Sequence, residues 1–147
     1  MNESVQAAPR ATGVPWHIWL VGILSLLWYF SGAYTIMVAQ HGTLPGLSPE
    51  ELAYYEAKPL YLELIADLAL MAGIVGSVGL LLRKVWAVPA FLALLVLVLV
   101  GNALELADGT SRALANQAAM IVTIAIAAIA LFNWSYARTM ARRGVLA

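Results

Sequence analysis

Two carboxylates lie one helical turn apart in the apolar stretch LYLELIADLALMAG, residues 60–73, where they could bind a cation, a polar solute or a proton. Glu63 and Asp67 share one face of a helix, because side chains four residues apart are neighbours on its surface. Charge is costly against hydrocarbon, at about 2.5–3.5 kcal/mol for an Asp at the centre of a span. We therefore expect both carboxylates to face the interior of a helix bundle. There they would contact either a ligand or, in a purely structural role, a basic side chain.

Polar residues of the other apolar stretches are expected at the same depth as this pair. Together they form the predicted ligand-binding pocket: Glu63, Asp67, Glu105, Asn102, Asn116, Arg112 and Tyr34. With His41, the three acids of this set form a metal-binding alternative. No ligand spacing such as H-E-x-x-H supports that alternative, so we assign neither a metal nor a cofactor. The other half of the bundle is expected to be nearly apolar, apart from Ser25, Ser77 and Thr123.

The composition places this pocket in a membrane. Of the 147 residues, 63% are hydrophobic and 11% are charged, whereas soluble domains are about 45–50% apolar and 25% charged. A helix needs about 20 apolar residues to cross a bilayer, and four stretches qualify: 16–39, 60–82, 85–107 and 113–136. The last three are joined by short links, which make neighbouring helices antiparallel. The sequence therefore predicts an all-α integral membrane protein, an up-down four-helix bundle.

Residues 40–59 form the one long link, and they contain a helix start signal. Ser48, Pro49 and Glu51 match a capping box with proline at the first helical position. We expect a short interfacial helix over about 49–57 in this first outer loop. Tyr54 lies within it, as expected of the aromatic side chains that mark a membrane surface.

The basic residues predict the orientation. Six of them lie on one side of the predicted membrane, and two, Lys58 and Arg112, lie on the other. Because positive residues are enriched on the cytoplasmic side, we expect both termini in the cytoplasm. The predicted organisation is a disordered N-terminus over 1–15, a transmembrane bundle over 16–137 and a basic cytoplasmic tail over 138–147.

Composition and motifs exclude several classes of function. The formal net charge is zero, so the basic footprint of a nucleic-acid-binding protein is missing. The chain has no cysteine, and no hydrolase, phosphate-binding or dinucleotide motif occurs, which favours a non-enzymatic protein. Ala69, Gly73 and Ser77 follow the spacing that lets membrane helices approach closely. This stripe predicts internal helix packing or, alternatively, contact with a second copy.

Several stretches of the chain resemble a group of small proteobacterial inner-membrane proteins that often carry the label "sugar transporter". The resemblance lies in WLVGILSLLWYFSGAY (19–34), LSPEELAYY (47–55) and YARTMARRGVLA (136–147). It implies a four-span bacterial membrane protein, and it carries no functional residue over to this chain. Members of the group tend to have an acid where this chain has Thr35, and apolar or aromatic residues in place of Glu63 and Asp67.

The leading hypothesis is a multi-pass inner-membrane protein that is not an enzyme. Its outward-facing acidic pocket would bind, or help to transport, a small polar solute such as a sugar, or a cation. The alternative is an accessory or assembly subunit whose small-residue faces and outer acids bind a larger membrane complex. The expected partners are therefore the lipid bilayer and either further copies of the chain or such a complex.

Overall fold

The computed structural model describes residues 13–41, 45–46, 48–109 and 117–147, and the secondary structure in these ranges is entirely helical. Five helices follow one another along the chain: α1 His17–Gln40, α2 Pro49–Ala57, α3 Leu60–Leu81, α4 Ala87–Ala107 and α5 Gln117–Arg142. All except α2 are long and apolar enough to cross a membrane. The all-α architecture, the four long helices and the short helix in the first loop are thus confirmed. The insertion of the bundle and the interfacial position of α2 stay predictions.

The surface of the four long helices is apolar on most sides. No more than 33% of the most apolar window of any of them is buried inside the protein. Leu24 and Leu27 of α1, Leu99 of α4 and Ile124 of α5 are among the exposed large hydrophobic side chains. Continuous apolar faces of this kind are typical of a membrane protein.

The helix backbones pack in the order α1, α3, α4, α5, with α2 resting on α1. The described parts of α1 and α5 show no packing of similar extent, so the bundle is an arc that has a seam between its first and last helices. We call the half with residues 16, 82–86 and 143–147 the terminal half. The half with α2 and residues 108–109 is the α2 half.

Aromatic rings fill the terminal half by resting on glycines of α3. A methyl group added at Gly76 would lie 2.8 Å from the ring of Phe91, which is fully buried. The same relation holds at two further positions, namely Tyr29 of α1 over Gly73 and Trp86 over Gly79. Ala69, Gly73 and Ser77 are all buried, so the small-residue stripe is confirmed as an internal packing surface. Together with Gly76 and Gly79 it accommodates rings of α1, α4 and the turn before α4.

The C-terminal ends of α3 and α5 lie in the terminal half, where they have the same backbone conformation and contact each other. In α3 the Lys84 N–H donates to the Gly79 carbonyl and the Arg83 N–H to that of Leu80, a Schellman motif. Arg83 has the left-handed φ of 57° that this motif requires. Helix α5 ends likewise at Gly144, whose φ is 68°.

The last residues pack against the turn between α3 and α4. The Ala147 N–H donates to the Arg83 carbonyl over 2.7 Å, and Leu146 is buried. Helix α5 continues to Arg142, past the end of the predicted bundle at 137. The predicted tail over 138–147 is therefore helix first and a docked end afterwards, because the apolar Val145 and Leu146 reach the core. Its cytoplasmic location stays a prediction.

Candidate functional site

A cavity of about 610 Å³ lies in the α2 half, with lining residues from all five helices. This volume is within the range of about 300–1,000 Å³ that is typical of small-molecule sites. The walls are formed by apolar and small side chains: Leu62, Ile65, Ala66, Ala69 and Leu70 of α3, Leu94, Leu97, Val98 and Gly101 of α4, and Ile126 of α5. The floor lies near the middle of the bundle, where Tyr29 and Leu94 are buried.

A cluster of hydrogen-bonded polar groups closes the cavity at its α2 end. The Lys58 ammonium lies 2.9 Å from a carboxylate oxygen of Glu105. The Tyr54 hydroxyl donates to the same oxygen over 3.2 Å, and the Lys58 ammonium also lies 5.6 Å from the centre of the Tyr54 ring. The cluster thereby ties α2 and the residue after it to the last turn of α4.

Local sequence explains why Lys58 and Tyr54 reach Glu105. Pro59 cannot continue α2, and its carbonyl accepts the N–H groups of Leu62 and Glu63, so α3 begins immediately after it. The chain thus turns sharply at Lys58, whose side chain is only 13% exposed. Burial, followed by the neighbouring Glu105 carboxylate, raises the pKa of the Tyr54 phenol.

The structure brings together three of the seven predicted pocket residues. Glu63, Asn102 and Glu105 line the cavity, near its α2 end. Tyr34 is 63% exposed and is not among the lining residues. Arg112 and Asn116 lie outside the described residues. Whether any of the seven binds a ligand stays a prediction.

Asp67 is exposed, so the prediction that both carboxylates of α3 face inward is wrong for this residue. Each step of four residues rotates a side chain by about 40° around the helix axis. Glu63 already lies at the flank of the core-facing stripe of Leu62 and Ala69, and the extra rotation carries Asp67 away from it. The exposed neighbours of Asp67 on α3 include Leu64, Leu68 and Met71.

A buried hydrogen-bond network that sequence reasoning missed lies just below the cavity floor. The Asn133 side-chain amide of α5 donates to the Tyr29 hydroxyl over 2.7 Å, and its oxygen accepts the Ser25 hydroxyl over 3.0 Å. Asn133 is 1% exposed and Tyr29 is 3% exposed. The sequence did contain a signal for this network, because Asn133 is a lone amide inside an apolar span. Such an amide is costly in lipid unless a side chain of a neighbouring helix forms hydrogen bonds with it.

A second contact joins α1 to α5 closer to the termini. His17 Nδ1 and the Tyr136 hydroxyl form a hydrogen bond, and their rings meet edge to face. Thr123, in contrast, lines the cavity in the α2 half, so its predicted position among the polar groups of the other half is wrong. The contacts that Asn133 and Tyr136 of α5 make with α1 lie at or below the cavity floor.

The part of the chain that the structure describes contains no group of three His, Asp or Glu side chains that could hold a metal ion. Within these residues the cavity offers hydrogen-bonding groups at its α2 end, hydroxyl groups of Ser31, Thr35 and Thr123 on its α1 and α5 side, and hydrocarbon along its α3 and α4 walls. No protein-family model, curated protein or solved structure matches the chain. The arrangement suits a molecule that has an apolar body and one polar end.

Proposed function

We propose that this chain is a non-enzymatic integral membrane protein that binds a small amphipathic molecule in the cavity of its α2 half. The observation that carries the proposal is the division of the lining between the apolar walls of α3 and α4 and a polar end formed by Glu63, Asn102 and the Lys58–Glu105 pair. The apolar part of the ligand would lie along the walls. Its polar group would accept and donate hydrogen bonds at the α2 end.

This division favours an amphipathic ligand over a free sugar. A sugar has hydroxyl groups on all sides, and those facing Leu97, Val98 or Ile126 would lose their hydrogen bonds to water without replacement. Glu105 is held by Lys58 and Tyr54, so Glu63 is the lining carboxylate for which the described residues supply no ion pair. A neutral or cationic polar group is therefore favoured at this end.

The charge asymmetry of the sequence supports an orientation for the site. Arg83, Lys84, Arg142 and the C-terminal residues 143–147 belong to the terminal half, and the excess of basic residues favours a cytoplasmic location for this half. The cavity would then lie in the outward half of a bacterial inner membrane. The resemblance to small proteobacterial inner-membrane proteins agrees with this location.

The binding test is native mass spectrometry of the chain released from membranes in a mild detergent, compared between two variants. Ala66→Phe places a ring in the cavity, whereas Ala93→Phe adds the same ring on the exposed face of α4. We expect the wild type and Ala93→Phe to retain a bound small molecule and Ala66→Phe to lose it. A wild type that carries no small molecule, or an Ala66→Phe protein that retains it, would contradict the proposal.

A second pair of variants compares the roles of the two carboxylates of α3 in ligand binding. Glu63→Gln changes a group that lines the cavity, whereas Asp67→Asn makes the matched change on the exposed side of the same helix. We expect Glu63→Gln to weaken retention by about tenfold, equivalent to the loss of one charge-assisted hydrogen bond. Asp67→Asn should leave retention unchanged, and equal effects of both would remove Glu63 from the site.

A role as a subunit of a larger membrane complex is the second candidate, and the exposure of Asp67 favours it. A carboxylate between Leu64 and Leu68 on a bilayer-facing surface would be stabilised by a basic residue of a neighbouring chain. Under this alternative, Asp67→Asn should abolish co-purification of one larger complex. Under the binding proposal, the chain purifies without such a complex.

A further inference from the structure

We propose that the cavity is loaded sideways from the bilayer, through the seam between α1 and α5, and that its occupant is the hydrocarbon chain of a single-chain amphiphile with a neutral head group. This inference rests on the proposed binding function and names the class of ligand and its route. Three observations support it: the exposure of the lining residues, the closure of the α2 end, and the contacts that hold α1 and α5 together.

Exposure of the cavity lining is confined to one side of the bundle. Trp28, Ser31 and Thr35 of α1 and Val122 and Thr123 of α5 line the cavity and are exposed. Every lining residue of α2, α3 and α4 that the structure describes is buried or half-buried. The opening therefore lies between α1 and α5, and it faces sideways rather than along the bundle axis.

The α2 end is closed by the cluster described above. Tyr54 is 9% exposed, and the Glu105 side chain that it contacts is 22% exposed. Because Lys58 and Tyr54 both hold that carboxylate, entry from this end requires an ion pair and a hydrogen bond to break together. Entry between α1 and α5 requires neither.

Two side-chain contacts hold the seam together at and below the cavity floor. Asn133 joins Ser25 to Tyr29 at the level of the floor, and His17 contacts Tyr136 further into the terminal half. A hydrocarbon chain that enters between the exposed lining residues of α1 and α5 would therefore leave these two contacts intact.

The rim of the opening is compatible with hydrocarbon. Trp28 and Val122 present apolar surface, and the Thr35 hydroxyl donates to the Ser31 carbonyl over 2.9 Å, so its polar hydrogen is already bonded within α1. A hydrocarbon chain that passes this rim meets the apolar walls, with its head group at the level of Glu63 and Asn102. An anionic head group would be repelled by Glu63. A neutral head group avoids this repulsion and can form hydrogen bonds with Glu63 and Asn102.

Photolabelling tests the route and the ligand class together. The full chain is reconstituted in phosphatidylcholine vesicles with a long-chain fatty alcohol that carries a diazirine at its chain end, and labelled residues are identified by peptide mass spectrometry. We expect labels on the wall residues Ile65, Ala66 and Leu97, in addition to labels on Leu68 and Leu92, which face outward and serve as the internal reference.

Two double variants identify the entrance. Thr35→Phe with Thr123→Phe narrows the seam, whereas Leu64→Phe with Val96→Phe adds the same rings on outward faces of α3 and α4 and leaves the reference residues unchanged. We expect the seam variant to lower wall labelling by about tenfold relative to the outer reference. The control variant should show the same wall labelling as the wild type. Wall labelling that persists in the seam variant would overturn the lateral route.

Competition in the wild type makes the test independent of whether the seam variant folds. Unlabelled long-chain alcohol should displace the wall labels, and glycerol, which has hydroxyls and no chain, should leave them in place. Wall residues that stay unlabelled while Leu68 and Leu92 react would overturn the hydrocarbon occupant. If native mass spectrometry still detects a molecule that Ala66→Phe loses, the binding function stands and only the ligand class is wrong.

Discussion

The two halves of this bundle are built from the same four helices, yet one is packed and the other is hollow. In the terminal half, glycines of α3 face rings, as Gly76 does with Phe91. In the α2 half, Gly32 and Gly101 face the ends of the aliphatic side chains of Leu70 and Ile65. Small residues bring helices close only where a large neighbour fills the space beside them, and where none does the same residues leave a cavity.

The largest effect is expected from adding one methyl group to the packed half. In Gly76→Ala the new methyl would lie within 3.0 Å of three atoms of the buried Phe91 ring, so ring or helix must shift. We expect a loss of about 1–3 kcal/mol in the free energy of unfolding, measured by denaturation in mixed micelles.

The matched change in the hollow half should have little cost. In Gly32→Ala the methyl would lie 3.1 Å from the end of the Leu70 side chain, which can move into the cavity. We expect a change near zero or a gain of up to about 1 kcal/mol from the lower flexibility of alanine in a helix. Equal losses at both positions would show that the two halves do not differ in packing.

The next effect tests how the seam is fastened. Asn133→Leu removes both hydrogen bonds of the amide and leaves the buried Tyr29 hydroxyl without its donor. We expect a loss of about 1–2 kcal/mol in the same assay, because hydrogen bonds between membrane helices contribute about 0.6–2 kcal/mol. Ser135→Leu, on the exposed side of α5, is the control and should be neutral. A neutral Asn133→Leu would mean that the network does not stabilise the seam.

The smallest effect concerns the cluster at the α2 end. Because the pKa of Tyr54 is raised in the folded chain, the unfolded chain releases this proton first, near the ordinary tyrosine pKa of about 10. The free energy of unfolding should therefore fall as the pH rises above about 10. Tyr54→Phe should remove this part of the decline.

Glu105→Gln tests how far the Glu105 carboxylate contributes to the raised pKa of Tyr54. It removes the carboxylate charge that, after burial, raises the pKa of Tyr54. The pKa should move down, and an ultraviolet titration of the phenol is the readout. At neutral pH the loss of the Lys58 ion pair should cost about 1 kcal/mol or less. A tyrosine titration that is identical in Glu105→Gln and the wild type would contradict the contact between Tyr54 and Glu105.

Much of the fold could be predicted because it depends on composition along the chain. Long apolar stretches, the short links between the last three of them and the start signal at Ser48 and Pro49 sufficed to predict four long helices and one short one. Part of the site was predictable for the same reason. Glu63, Asn102 and Glu105 lie at similar depths, and depth follows from position in a span.

What the sequence by itself determined is therefore the order of the helices, their apolar surfaces and the level along the bundle of Glu63, Asn102 and Glu105, although not that of Thr123. Only the tertiary structure decided the direction in which each group points. It turned Asp67 outward, joined Lys58 to Glu105, buried Asn133 between α1 and α5 and left a cavity beside the seam. The physical reason is that depth depends on the rise along one helix, whereas direction depends on the rotation of each helix against its neighbours, which side-chain packing sets.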